Sequence, residues 1–127
     1  MANDTKNFKV SEFACKHCGE NNISQEVIDM AQIIRDELGV PVKINSGYRC
    51  AEHNKKVGGS KSSQHMNGNA ADLSCFLGGF TLLLAIHKLK LENKLPMLQY
   101  CIYYPNKDFC HIDLIKRPNG KIFALSL

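Results

Sequence analysis

The segment from Phe109 to Ile115 constrains this chain most, because it reads as one strand with two chemically opposed faces. Cys110, Ile112 and Leu114 fall on one side of a period-two element, and Phe109, His111 and Asp113 fall on the other. The apolar side needs a hydrophobic layer against it. The side carrying an imidazole and a carboxylate needs polar company. The pattern points to an antiparallel sheet with a core face and a site face, with flanking helices.

The rest of the sequence supplies that cover. Ser24 suits the N-cap of a helix running to about Leu38, with Glu26 in its first turn. Val27, Met30, Ala31, Ile34 and Leu38 recur at spacings of three and four, which makes one buried stripe. Gly39 fits the helix stop and Pro41 prevents resumption. A second long helix is expected from Thr81 to before Pro96, with Leu82, Ala85, Ile86 and Leu89 inward; Gly78-Gly79 reads as the break ahead of it. A short helix is expected over Ala51 to Val57. Strands are expected at Val42 to Ile44, Ala71 to Phe76 and Leu98 to Tyr104. Pro118-Asn119-Gly120 reads as a hairpin turn that returns the Phe109–Ile115 strand into Lys121 to Leu125. Phe8, Val10 and Phe13 look like anchors of a docking segment. Helices first and antiparallel strands later give an α+β class, and 127 residues suit a single domain over 1–127.

Composition narrows the function classes. With 44% hydrophobic and 22% charged residues the chain is of ordinary globular type, and no apolar run approaches membrane-spanning length. The net charge of +4 is dispersed; Lys55–Lys56 and Lys116–Arg117 are only pairs, so a solvated surface is expected rather than nucleic-acid binding. The N-terminal residues lack the apolar core of a signal peptide. The expectation is a protein made in the cytoplasm, and delivered by other means if its target lies outside. The six cysteines are then expected as free thiols. Cys15-Lys-His-Cys18 has the spacing of half a structural zinc site, but no second close pair follows. A buried or turn-forming pair is the expected reading, with a structural metal at Cys15 and Cys18 as the alternative.

The chemistry concentrates between Ser62 and Asp72. His65 and Asp72 offer an imidazole and a carboxylate seven positions apart, and Asn67, Gly68 and Asn69 between them favour a turn. These are two of the usual ligand types of a catalytic zinc, which takes three protein ligands and keeps one position open. The third is expected from the Asp108–Asp113 segment, as His111. Asp108, three residues earlier, can serve as general base, and Asp113, on the same face as His111, can orient its ring. Arg49, after the Ser46-Gly47-Tyr48 turn, offers a fixed charged fork for a substrate oxygen, and Ser63 and Gln64 offer hydrogen bonds. His17, His53 and His87 fit no ligand pattern.

Taken together, Ser46-Gly47-Tyr48-Arg49-Cys50 with Asn54 and Val57-Gly58-Gly59, then Ser63-Gln64-His65 with Gly68, Ala70 and Asp72, then Asp108-Phe-Cys-His111-Ile-Asp113, resemble a known family. It is the zinc peptidoglycan peptidases of the hedgehog/DD-peptidase fold, which includes D-Ala-D-Ala carboxypeptidases, dipeptidases and phage endolysins cutting the L-alanyl-D-glutamate bond. The resemblance implies one Zn2+ held by His65, Asp72 and His111, with Asp108 as base and Arg49 on the substrate or intermediate. It implies a peptide of the bacterial wall as substrate. Cys110 departs from the aromatic residue many members carry before the last histidine. The monomeric state is the default expectation. A cytoplasmic D-Ala-D-Ala dipeptidase and a non-catalytic wall-binding module on the same fold are the alternatives.

Overall fold

The structure, a computed structural model, describes residues 2–127. Two helices, α1 (Gln25–Leu38) and α3 (Gly79–Leu91), cover one face of a five-stranded sheet. A short helix α2 (Ala51–Lys56) and a single 3-10 turn over Gln64–Asn67 belong to the loops that rise over the other face. The strands are β1 (Lys43–Ser46), β2 (Ala70–Ser74), β3 (Tyr100–Tyr104), β4 (Phe109–Asp113) and β5 (Phe123–Leu125), in the spatial order β1-β2-β4-β3-β5. The expected α+β class is the one observed.

The core forms where the two periodicities meet. Val27, Met30, Ala31 and Ile34 of α1 and Leu82, Ile86 and Leu89 of α3 pack onto Ala71 and Leu73 of β2, Cys101 of β3 and Cys110 and Ile112 of β4. Each large side chain withdrawn from water in this way contributes about 1.5–3 kcal/mol. The two-faced reading of β4 holds: Cys110 and Ile112 enter the core, while His111 faces the opposite side.

Helix ends follow local chemistry with one tertiary exception. Gly39 closes α1 at φ +69°, a left-handed angle that glycine adopts without a Cβ clash. Ser24 sits at the N-cap, but its hydroxyl makes no cap; its backbone N–H bonds to the Gly68 carbonyl at 2.9 Å instead. The second long helix begins two residues before the expected Thr81. Gly79 is already helical because its N–H donates to Asp108 Oδ1 at 2.7 Å, so a carboxylate from the β3–β4 turn closes the end that the sequence leaves uncapped.

The hairpin expected after β4 does not form with β4. Both edges of β4 are occupied, by β2 and by β3. The returning chain therefore passes to the free edge of β3, where β5 pairs parallel through Cys101↔Phe123 and Tyr103↔Leu125. The Pro118–Gly120 turn is present, but it redirects the chain instead of closing a two-stranded unit.

Two glycines fix the loops above the sheet. A Cβ on Gly47 would lie 2.5 Å from the Phe13 carbonyl oxygen, and the neighbouring Tyr48 N–H bonds that same oxygen at 2.8 Å. Gly68 ends the 3-10 turn at φ +72°, and a Cβ there would overlap the Asn22 carbonyl. Gly68→Ala is therefore expected to cost at least about 1–2 kcal/mol from the left-handed backbone alone. Chemical denaturation checks this; an unchanged midpoint would show that the loop adapts without strain.

Candidate metal centre

Sheet register brings the first two site residues together. Asp72 of β2 stands directly opposite His111 of β4, so both side chains leave the same face of adjacent strands. His65 descends from the 3-10 turn above them. His65 Nε2, Asp72 Oδ1 and His111 Nδ1 converge at 3.1, 3.1 and 3.2 Å from one another. All three residues are buried.

The outer nitrogen of each ring is committed behind the cluster. His65 Nδ1 lies 2.7 Å from the Gly47 carbonyl oxygen, which can only accept, so this nitrogen carries the proton and donates. His111 Nε2 lies 2.7 Å from Asp113 Oδ2 and donates to it by the same logic. In the neutral rings the two inner nitrogens then present bare lone pairs to each other and to the Asp72 carboxylate. Three acceptors pointed at one spot require a cation or a shared proton. A divalent metal satisfies all three at once, and imidazole, imidazole and carboxylate are a usual ligand set for zinc. On this ground the residues present fit a metal.

The electrostatics agree. Burial alone would raise the Asp72 pKa, but hydrogen bonds from His111 and His65 outweigh it and hold the carboxyl well below the usual carboxylate range. Burial alone would lower the His111 pKa, but the Asp113 and Asp72 carboxylates outweigh it and raise it to about 9. In the metal-free protein a proton thus occupies the cluster at neutral pH.

Asp113 is itself clamped. It is fully buried, and besides His111 it accepts from Ile115 N at 3.0 Å and from Arg117 at 2.7 and 3.1 Å. Arg117 stacks on the Tyr100 ring at 4.0 Å. The sequence reading placed Arg117 on a solvated surface; the structure makes it the counter-ion that fixes the carboxylate behind His111. Its spacing of four from Asp113 was the signal available.

Arg49 reaches the cluster from the turn after β1. Its Nη2 lies 3.4 Å from Asp72 Oδ2, its Nη1 donates to Asn54 Oδ1 at 2.9 Å and its Nε to Ser46 Oγ at 3.1 Å. Asn54 is buried and also donates to the Ser60 carbonyl, and a Cβ on Gly59 would strike it, which accounts for the glycine there. Three of the guanidinium's five N–H groups are engaged, leaving two for a ligand. Ser63 accepts the His65 N–H at 3.3 Å, and Gln64 accepts from Asn67 at 3.3 Å.

These groups line a cavity of about 790 Å³, walled by His65, Asp72, His111, Arg49, Ser63, Gln64 and Tyr104, and rimmed by Lys107, Lys116 and Arg117. Asp72 is its one acidic lining residue among the described residues.

Asp108 stands apart from the other expected site residues in this structure. Expected from the sequence as general base, it does not line the cavity. It adopts φ +58° at the end of the β3–β4 turn, and its carboxylate points to the N-terminus of α3 on the helix-covered side of the sheet. Asp108 lies in the turn, one residue before β4, and there its left-handed backbone rather than strand alternation sets the direction of its side chain.

Comparisons with known proteins give the chain a family. The sequence model of Peptidase M15 matches residues 6–113. The chain belongs to the Peptidase M15 family. It is also similar to a zinc D-Ala-D-Ala carboxypeptidase of Streptomyces albus G, 42% identical over 53 residues. That match covers 41% of this chain and 21% of the relative, so the chain spans only about a fifth of that protein's length.

The protonated His111 generates a test. A metal must displace the proton that holds the cluster together. At neutral pH, adding zinc to metal-free protein should therefore release about one proton per chain more than adding it to His65→Ala, read with an indicator dye in weak buffer. Equal proton release from the parent protein and His65→Ala at neutral pH would mean the ring is neutral before binding.

Proposed function

We propose that this member of the Peptidase M15 family is a zinc-dependent peptidase acting on stem peptides of peptidoglycan, as an endopeptidase or a D,D-carboxypeptidase. The observation that carries the reading is the set of three inner lone pairs, His65 Nε2, Asp72 Oδ1 and His111 Nδ1, at the floor of an open cavity. Family membership and the partial similarity to a zinc D-Ala-D-Ala carboxypeptidase support it.

His65, Asp72 and His111 would hold the zinc, and Gly47, Asp113 and Arg117 would keep the two rings aimed at it. When bound, the ion would polarise a scissile carbonyl and activate a water for attack. The residues of the chain supply the rest. Arg49 places a guanidinium beside the ligand carboxylate, with N–H groups free for the oxygen on which negative charge develops. Lys107, Lys116 and Arg117 make the rim cationic, which suits a peptide bearing carboxylates. Ser63 and Gln64 present polar groups along the loop wall.

Digestion of isolated sacculi, followed by mass spectrometry of the released muropeptides, tests the reading. His65→Ala should lose both zinc and activity. Arg49→Ala should keep zinc and lose turnover by about a hundred-fold or more. Asp108→Asn keeps an oxygen for the Gly79 N–H and should turn over within a few-fold of the parent protein. A loss there of about a hundred-fold or more would instead show that the carboxylate leaves α3 and works in the site as a base. If the parent protein, fully loaded with zinc, releases no muropeptide from any sacculus tested, the proposed substrate class is wrong.

A further inference from the structure

A second set of converging donors lies away from the cavity. Cys15, Cys18 and Cys50 bring their sulfur atoms within 4.8 Å of one another, and all three are free thiols. They come from two separate stretches, the loop after the Val10–Phe13 turn and the residue just before α2. We propose that these three cysteines form a structural thiolate site for a second zinc ion, which staples the N-terminal segment to the turn that carries Arg49.

Local geometry is that of a metal knuckle. Cys15 N donates to the Glu20 carbonyl at 2.7 Å and Gly19 N to the Cys15 carbonyl at 2.9 Å, with Gly19 at φ +76°, so the chain folds tightly around the first two sulfurs. Backbone N–H groups point at the sulfurs: Cys50 N at Cys15 Sγ and His53 N at Cys50 Sγ, each at 3.4 Å. Such donors favour the thiolate, which is the form that binds metal. The contrast with the other cysteines is informative. Cys101 and Cys110 are fully buried in the apolar core and act there as small hydrophobic residues. Cys18 is exposed and Cys50 half-buried, so packing does not account for their meeting. Three sulfurs in one place also cannot all be satisfied by disulfides, which consume thiols in pairs.

A zinc with three thiolates carries one net negative charge. Lys16 lies within the knuckle, and His17 and His53, from the same two stretches of chain, stack on each other with ring centroids 6.1 Å apart. The site would lock a junction on which the first centre depends. Phe13 accepts the Tyr48 N–H, Gly47 packs on Phe13 and accepts from His65, and Arg49 precedes Cys50. A metal at Cys15, Cys18 and Cys50 would hold that junction from the outside, and its binding energy would add directly to folding stability.

The test counts zinc and identifies its ligands. Full-length protein is loaded with zinc, dialysed and analysed by elemental mass spectrometry; a parallel sample is loaded with cobalt and its absorption spectrum recorded. About two zinc ions per chain are expected, together with sulfur-to-cobalt charge-transfer absorption. His65→Ala should drop to about one ion and keep that absorption. Cys15→Ser/Cys50→Ser should lose the absorption, keep the other ion and unfold at lower temperature; Cys18→Ser, at an exposed position, gives the same spectral answer should the double variant fail to fold. One ion in the parent protein, lost in His65→Ala and unaccompanied by charge-transfer absorption, would overturn the proposal. So would a Cys15–Cys50 disulfide in protein purified under reducing conditions. One ion lost only in the cysteine variants would support the thiolate site and remove the His65 centre instead.

Discussion

Three lone pairs facing one another without a donor are the constraint on which this molecule turns. No arrangement of His65, Asp72 and His111 at 3.1–3.2 Å is stable unless something positive sits among them. The protein does not leave the rings to choose. Gly47 and Asp113 take their outer nitrogens, and once those protons are fixed the inner nitrogens can only be acceptors. Much of the surrounding structure serves these two back-side hydrogen bonds. Arg117 pairs with Asp113 on both oxygens, so the acid behind His111 stays ionised despite complete burial. Such a buried pair costs desolvation, and removing one partner would leave an uncompensated charge.

Support for the other ring runs through the backbone. The Gly47 carbonyl is positioned by the docking of the turn after β1 on Phe13, and Phe13 is held by the core and by an edge contact with Phe8 at 5.9 Å. The N-terminal segment is therefore part of the centre although none of its side chains enters it. The cysteine cluster lies on the same junction, one residue from Arg49. A single mechanical unit thus links residues 13–18, the 46–50 turn and the His65 loop.

The two sides of the sheet divide labour. On the helix side, the β3–β4 turn gives its carboxylate to α3, while Cys110 and Ile112 complete the core. On the other side, Asp72 is the one acidic group among the described residues lining the cavity, against Arg49, Lys107 and Lys116, with Arg117 balanced by the buried Asp113. The cavity therefore carries net positive charge even before a metal is added. Electrostatic attraction of acidic peptides follows from that imbalance, and it weakens with salt.

The sequence by itself determined what local periodicity and local chemistry control. The apolar stripe of α1, its stop at Gly39, the two faces of β4 and the residue types of the centre were legible because each depends on neighbours within a few positions. The centre's membership, His65, Asp72 and His111, was readable from spacing together with a family resemblance. What only the tertiary structure decided were the pairings across long stretches of chain. β5 joins β3 because both edges of β4 are already occupied, which no turn signal reveals. Asp108 accepts from Gly79, twenty-nine positions earlier, because the turn ahead of β4 holds it in a left-handed backbone that brings its carboxylate to the start of α3. Arg117 leaves the surface for Asp113, and Cys50 completes a cluster with Cys15 across thirty-five positions. Spacing along the chain states which groups are available; which of them meet is set by strand order and register.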